Sequence, residues 1–216
     1  GDGGERPGTA IASVYCIAYA IALSLWGVDL VLGADPVFDS TLIGPFVFMS
    51  AFLSGTALVT LLALRSGALS ETARRDAAKL VLALLIFWAY LFWAQYLTIW
   101  YGNLPEEVGF ALRRTEGGWG GVVLTAIGLV FTLPFAVLLH PAGRRSVRVF
   151  TALLVLQMLG LWLVCQLLIV PSLTPPEASA FDPRTALIAL GILGAFSLAV
   201  ARRVKRAVTN LERKAS

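Results

Sequence analysis

Three carboxylates stand at or near the ends of long apolar runs: Asp29, and the adjacent pair Glu106 and Glu107. An acid held partly out of water exchanges protons near neutral pH, and two like charges side by side raise at least one pKa. All three are candidates for proton transfer. The competing reading is that they are solvated, cap a loop or pair with Arg113 and Arg114. Asp29 also ends a helical face carrying Tyr15, Tyr19 and Trp26, at spacings of four, eleven and fourteen residues from Tyr15.

The stretch FWAQYLTIWYGNLPEE (92–107) carries the densest chemistry. Gln95 lies in the middle of an apolar run, where an amide needs a partner on another helix or a ligand. Tyr96 and Thr98 follow within about two turns, and Trp100 and Tyr101 suit a membrane–water interface. Gly102 and Asn103 favour a left-handed helix end, and Pro105 blocks continuation. Gln95, Tyr96, Trp100 and Asn103 are therefore candidates for ligand or water contact, and Trp93 and Trp100 for an apolar wall.

Other chemistry is thinly represented. Cys16 and Cys165 fall inside apolar runs and form no CxxC pattern, and the single histidine, His140, cannot supply two axial haem ligands. There is no phosphate loop of the G-x-x-x-x-G-K type. No redox cofactor or metal is expected on the chain's own motifs.

The elements that hold these residues are membrane helices. Of 216 residues, 58% are hydrophobic and 14% charged, and the mean hydropathy is +0.81. Soluble domains carry about 25% charged residues. Six apolar runs, 10–32, 42–64, 80–101, 119–139, 147–170 and 185–201, approach or exceed the about 20 residues that cross a hydrocarbon core. No barrel-type alternation is present, so each run must satisfy its backbone as helix. The expected fold is all-α and polytopic, with an N-terminal segment 1–9, a six-helix domain 10–201 and a basic tail 202–216.

Charge sets the expected orientation. Fourteen of the 17 Lys and Arg residues fall in the N-terminal segment, 65–79, 140–148 and the tail, and three (Arg113, Arg114, Arg184) in the alternate loops. The positive-inside rule places both termini in the cytoplasm. Basic charge at helix ends meets anionic lipid rather than nucleic acid. The first apolar run is too long for the core of a cleavable signal.

Within the spans, Gly121, Thr125, Gly128 and Thr132 are expected to pack closely on a neighbouring helix, as are Ala51 and Gly55, and Gly191 and Ala195. Pro134 removes one backbone bond and leaves the carbonyl of Val130 needing a donor. Gln157 and Gln166, nine residues apart, face opposite ways and serve different contacts.

Two stretches resemble a known family. WGVDLVLGADPVFDSTLIGPFVF (26–48), and more strongly FWAQYLTIWYGNLPEE (92–107) followed by GGWGG (117–121), resemble the later six-helix portion of the ActF-type membrane subunit of alternative complex III. That complex is a bacterial quinol:cytochrome c or high-potential-carrier oxidoreductase. The resemblance rests on Gln95, Trp100, Asn103, Leu104, Pro105, Glu106 and Glu107, while Leu30 stands where the family has tryptophan after the aspartate. It implies an NrfD/PsrC-like bundle in the inner membrane beside a homologous quinone-oxidising subunit. Iron–sulfur clusters and haems would then sit on iron–sulfur and cytochrome c partner subunits. The chain would contribute to a quinone site, with Gln95 and Tyr96 bonding a ring carbonyl or water chain, or to proton translocation through Asp29, Glu106 and Glu107. Two other readings stay open: a scaffold subunit of such a complex, and a secondary transporter, against which stands the lack of an internal repeat.

Overall fold

The computed structural model describes residues 7–67, 69–116 and 118–174, with 183–184, 186–188, 190–192, 194–195 and 202 beyond them. It divides into two compact units, Gly1–Ala178 and Ser179–Ser216. The second is helical wherever it is described. Much of the sixth expected span, 185–201, lies outside the described residues, as do segment 1–6 and the tail beyond 202.

All regular structure among the described residues is helical. The first unit contains α1 (Pro7–Ala34), α2 (Ile43–Arg65), α3 (Glu71–Gly102), α4 (Pro105–Arg113), α5 (Trp119–Ile127), a π-helical turn (Gly128–Thr132), α6 (Leu133–Leu139), α7 (Pro141–Arg145) and α8 (Val147–Leu173). Among the described residues, five helical stretches are long and apolar enough to cross a membrane, α5 to α6 counting as one. The chain is a multi-pass membrane protein. In α8, 39% of the apolar window is buried, against 6% in α1, so α8 is the spine and α1 the periphery.

Two loops hold more helix than the charge pattern suggests. The expected connection 65–79 is short, because Ser70 caps α3 by accepting from the Ala73 N–H at 3.2 Å. The pairs Arg75–Glu71 and Lys79–Asp76 extend the helix at four- and three-residue spacing. At 32 residues and 1.5 Å per residue, α3 overshoots a hydrocarbon core. The expected loop 102–118 contains α4. Asn103 takes the left-handed conformation (φ 48°) and its N–H bonds Ile99 O at 3.1 Å. Leu104 is the extended N-cap of α4, and Pro105 opens its first turn with Glu106 and Glu107. The NLPEE stretch is thus a helix–turn–helix junction, with its acids at the positive end of a helix dipole.

Pro134 shapes the crossing from α5 to α6. Its missing N–H and its ring force the preceding turn to widen, and the Leu133 N–H reaches back five residues to Gly128 O. The freed carbonyl of Val130 accepts from Gln157 Nε2 at 3.3 Å. Gln157 is 1% exposed, whereas Gln166 is half-buried and bonds no described group, which separates the two glutamines. Gly160 lets the widened turn approach α8: a Cβ there would stand 2.8 Å from Leu129 Cβ and Val130 Cγ2.

The expected small-residue packing is displaced. Among the described residues, a Cβ on Gly55, Gly121 or Gly128 would meet nothing within 4 Å, and Gly121, Thr125 and Thr132 are exposed; the pair Gly191 and Ala195 belongs to the second unit. The close approaches fall instead at Gly160 and at Gly27, where a Cβ would lie 2.7 Å from Val47 Cβ. Buried polar groups join the helices elsewhere: Trp88 Nε1 donates to Ser50 Oγ, which donates to Phe46 O, both at 2.8 Å.

The α4 end of the unit is closed by Val31, Phe38, Ile43, Ile99 and Phe110. The α7 end is tied by Arg74 Nη2 donating to Arg145 O at 3.0 Å. Gly143 of α7 sits so close to Val137 O that a Cβ would come to 2.1 Å, so accessibility labels belong at its exposed neighbour Ala142.

The charge count of the loops predicts a labelling pattern, and the bond between Gln157 and Val130 O predicts a cost of its loss. In a Cys16→Ser/Cys165→Ser background, a thiol from Glu116→Cys is labelled from outside intact cells, and one from Ala142→Cys only after permeabilisation; the reverse pattern overturns the orientation. Gln157→Leu costs about 0.6–1.7 kcal/mol in a detergent unfolding titration. The same change costs less in a Pro134→Ala background, where a backbone donor is restored to Val130 O, and equal losses in both backgrounds would refute the pairing.

Candidate functional site

A cavity of about 480 Å³ opens beneath α4, between α2, α3, α4, α5 and α8. Its wall is almost wholly apolar and rich in rings, with Phe46, Trp88, Phe92, Trp93 and Phe110. Among the described residues, the polar side chains in the lining are Gln95, Tyr96, Arg114 and Thr115. Trp88 is fully buried at the base, while Trp93 and Tyr96 are exposed, so the cavity reaches the surface of the bundle along α3. Such a site suits an amphiphile: an apolar ring or chain against the aromatic wall and a few oriented polar bonds.

The orientation of Gln95 follows from its neighbours. Ser40, in the connection between α1 and α2, accepts from the Leu42 N–H at 3.2 Å and donates its hydroxyl to Gln95 Oε1 at 2.5 Å. The amide oxygen of Gln95 is thereby engaged. Its two Nε2 hydrogens meet no described acceptor, and the side chain lines the cavity.

Arg114 is the unusual member. It is 7% exposed, and its guanidinium serves the C-terminal ends of two helices. Nη1 donates to Phe110 O at 2.8 Å; Nη2 donates to Leu168 O at 2.7 Å and to Ser172 Oγ at 2.8 Å. Phe110 O lacks its ordinary helical donor because the Arg114 N–H turns to Ala111 O. The side chain thus closes its own helix and the last turns of α8, and both helix dipoles favour a cation there. Its guanidinium carbon lies 3.2 Å from the centre of the Phe110 ring, which also stacks on Phe38 at 3.6 Å. Burial lowers the Arg114 pKa to about 9; Asp35 raises it and Arg113 lowers it. At neutral pH it is cationic. Its Nε is buried with no hydrogen-bond partner.

Asp35, which ends α1, completes the anchorage. Its Oδ2 pairs with Arg113 Nη2 and accepts from Ser172 Oγ at 3.1 Å. α1, α4 and α8 are thereby tied at one point.

Of the sequence-derived candidates, Gln95, Tyr96 and Trp93 line the cavity. Trp100, Asn103, Asp29, Glu106 and Glu107 do not. Asp29, Glu106, Trp100 and Asn103 are exposed and Glu107 half-buried. Arg113 pairs with Asp35, not with either glutamate. The residues missed are Asp35, Ser40, Arg114 and Ser172. A signal for Arg114 was present: it is one of three basic residues in the loops that are otherwise free of them. Comparison with known proteins finds no matching family model and no matching curated protein.

Asp35→Asn should release α4 without unfolding the bundle. In hydrogen–deuterium exchange, amides of 105–116 gain exchange at least about threefold while those of α2 stay unchanged; unaltered exchange at α4 would show that the Asp35–Arg113 pair contributes nothing.

Proposed function

We propose that this chain is a membrane subunit of a quinol-oxidising electron-transfer complex of the alternative complex III type, and that its cavity holds a quinone ring. The observation that carries the reading is the position of Gln95. The residue that the resembled motif and the mid-helix argument single out lines an aromatic cavity of about 480 Å³, within the range of small-molecule sites. Its oxygen is committed to Ser40, and its free hydrogens suit a ring oxygen. Trp93 and Tyr96 lie at the exposed side, where a lipid-soluble molecule would enter.

The chain is not catalytic alone in this reading. Electrons travel through haem and iron–sulfur clusters on partner subunits, beside a homologous NrfD-like quinone-oxidising subunit. Both termini face the cytoplasm of a bacterial inner membrane. Quinol oxidation releases protons to a base, and among the described residues the cavity lining holds neither carboxylate nor histidine. That composition favours a quinone-holding role over proton conduction. The place of Glu106 and Glu107 in the first turn of α4 favours a helix-stabilising role for both.

Gln95→Leu is expected to lower quinol-dependent acceptor reduction in membranes by about tenfold or more per assembled complex, the effect of losing one ligand hydrogen bond. Gln166→Leu stays within about twofold. Equal, small effects at both positions would reduce Gln95 to a packing contact with Ser40. Purification without haem and iron–sulfur subunits would remove the complex itself from the reading.

A further inference from the structure

An amide side chain has two unlike ends, an oxygen that only accepts and an NH2 group that donates. Which end of Gln95 is open to a ligand is decided by a residue outside the cavity lining, Ser40. The Ser40 Oγ is held by its own connection, where it accepts from the Leu42 N–H at 3.2 Å. Its single proton then needs an acceptor, and Gln95 Oε1 is that acceptor at 2.5 Å. With the amide turned over, the Ser40 proton would lose that acceptor, so the observed orientation satisfies one more group. The connection is itself fixed and cannot follow a turning amide. Asp35 pairs with Arg113, the Phe38 N–H bonds Asp35 O at 3.0 Å, and the Phe38 ring stacks on Phe110.

The NH2 group left free can be reached. Among the described residues, the buried side-chain nitrogens and oxygens without a partner are Arg74 Nε and Arg114 Nε. Gln95 Nε2 bonds no described group either, but it is not shut in as those two are, and its side chain lines the cavity.

We propose that Ser40 is a positioning residue of this cavity: by holding the Gln95 oxygen it turns the NH2 group toward the ligand. The ligand atom placed at Gln95 must then be an acceptor, such as a ring carbonyl oxygen. This inference rests on the reading of the cavity as a quinone site and adds to it the residue that sets the polarity of Gln95.

The test uses the full chain in detergent, titrated by calorimetry with decylubiquinone. Ser40→Ala should bind it about threefold to tenfold more weakly, and Ser40→Thr, which keeps the hydroxyl, should stay within about twofold of wild type. Ser40→Cys, close in size with a poor donor, takes the place of Ser40→Ala if that variant does not fold. In a Gln95→Leu background the change at position 40 should cost nothing further, because its route to the ligand is gone. Selective 15N-glutamine labelling gives three side-chain NH2 signals, from Gln95, Gln157 and Gln166, and the one missing from Gln95→Leu belongs to Gln95. In wild type the quinone should move that signal and leave the other two in place. Undiminished affinity without the Ser40 hydroxyl, an equal loss with and without Gln95, or an unmoved Gln95 signal would overturn the role of Ser40 and leave the quinone site standing. No binding of decylubiquinone by wild type would overturn the quinone site itself.

Discussion

A backbone carbonyl that lacks a donor and is buried away from water must take one from a side chain, and several features of this chain are answers to that shortage. Pro134 strips Val130 of its helical donor, and Gln157, on another helix, supplies one. The last turn of α4 tightens and frees Phe110 O, and Arg114 supplies the donor there while reaching Leu168 O on α8. In both places one side chain closes a gap in the backbone and joins two helices in doing so. The helices touch where they must share hydrogen bonds.

The cavity is a by-product of the second of these closures. α4 is too short and too exposed to be held by apolar burial alone, with Phe110 its one buried residue. It is held at its C-terminus by the Arg113–Asp35 pair and by the Arg114 bonds to α8. Between that anchorage and the Asn103 turn, α4 covers the gap that α2, α3, α5 and α8 leave. The stack of Phe38, Phe110 and the Arg114 guanidinium forms one edge of the cover. Ser40 steadies the opposite polar group from the connection between α1 and α2.

What was legible in the sequence was what local chemistry determines. Long apolar runs located the five described crossings to within a few residues except at the start of α3, where a Ser70 cap and two ion pairs continued the helix beyond the bilayer. Pro134 announced a needy carbonyl at Val130, since that relation spans four residues; its donor at position 157 could not be read, since it depends on how helices pack. Gln95 stood out because an amide amid apolar neighbours is costly whatever the fold. Arg114 did not, because the same arginine on a loop would be a solvated charge, and only the packing of α4 on α8 buries it. The sixth crossing is not decided by the described residues.

A π turn fits one more residue between its end points than an α-helix does. The residues before Gly128 and after Thr132 are therefore rotated by about 100° from where an unbroken helix would put them. A stripe drawn at α-helical spacing through Gly121, Thr125, Gly128 and Thr132 crosses this shift at its last step, so Thr132 leaves the face that the other three share. The same shift leaves an evolutionary signature. A relative with an ordinary residue in place of Pro134 would need no widening, and would align with this crossing through a single-residue gap at 128–132.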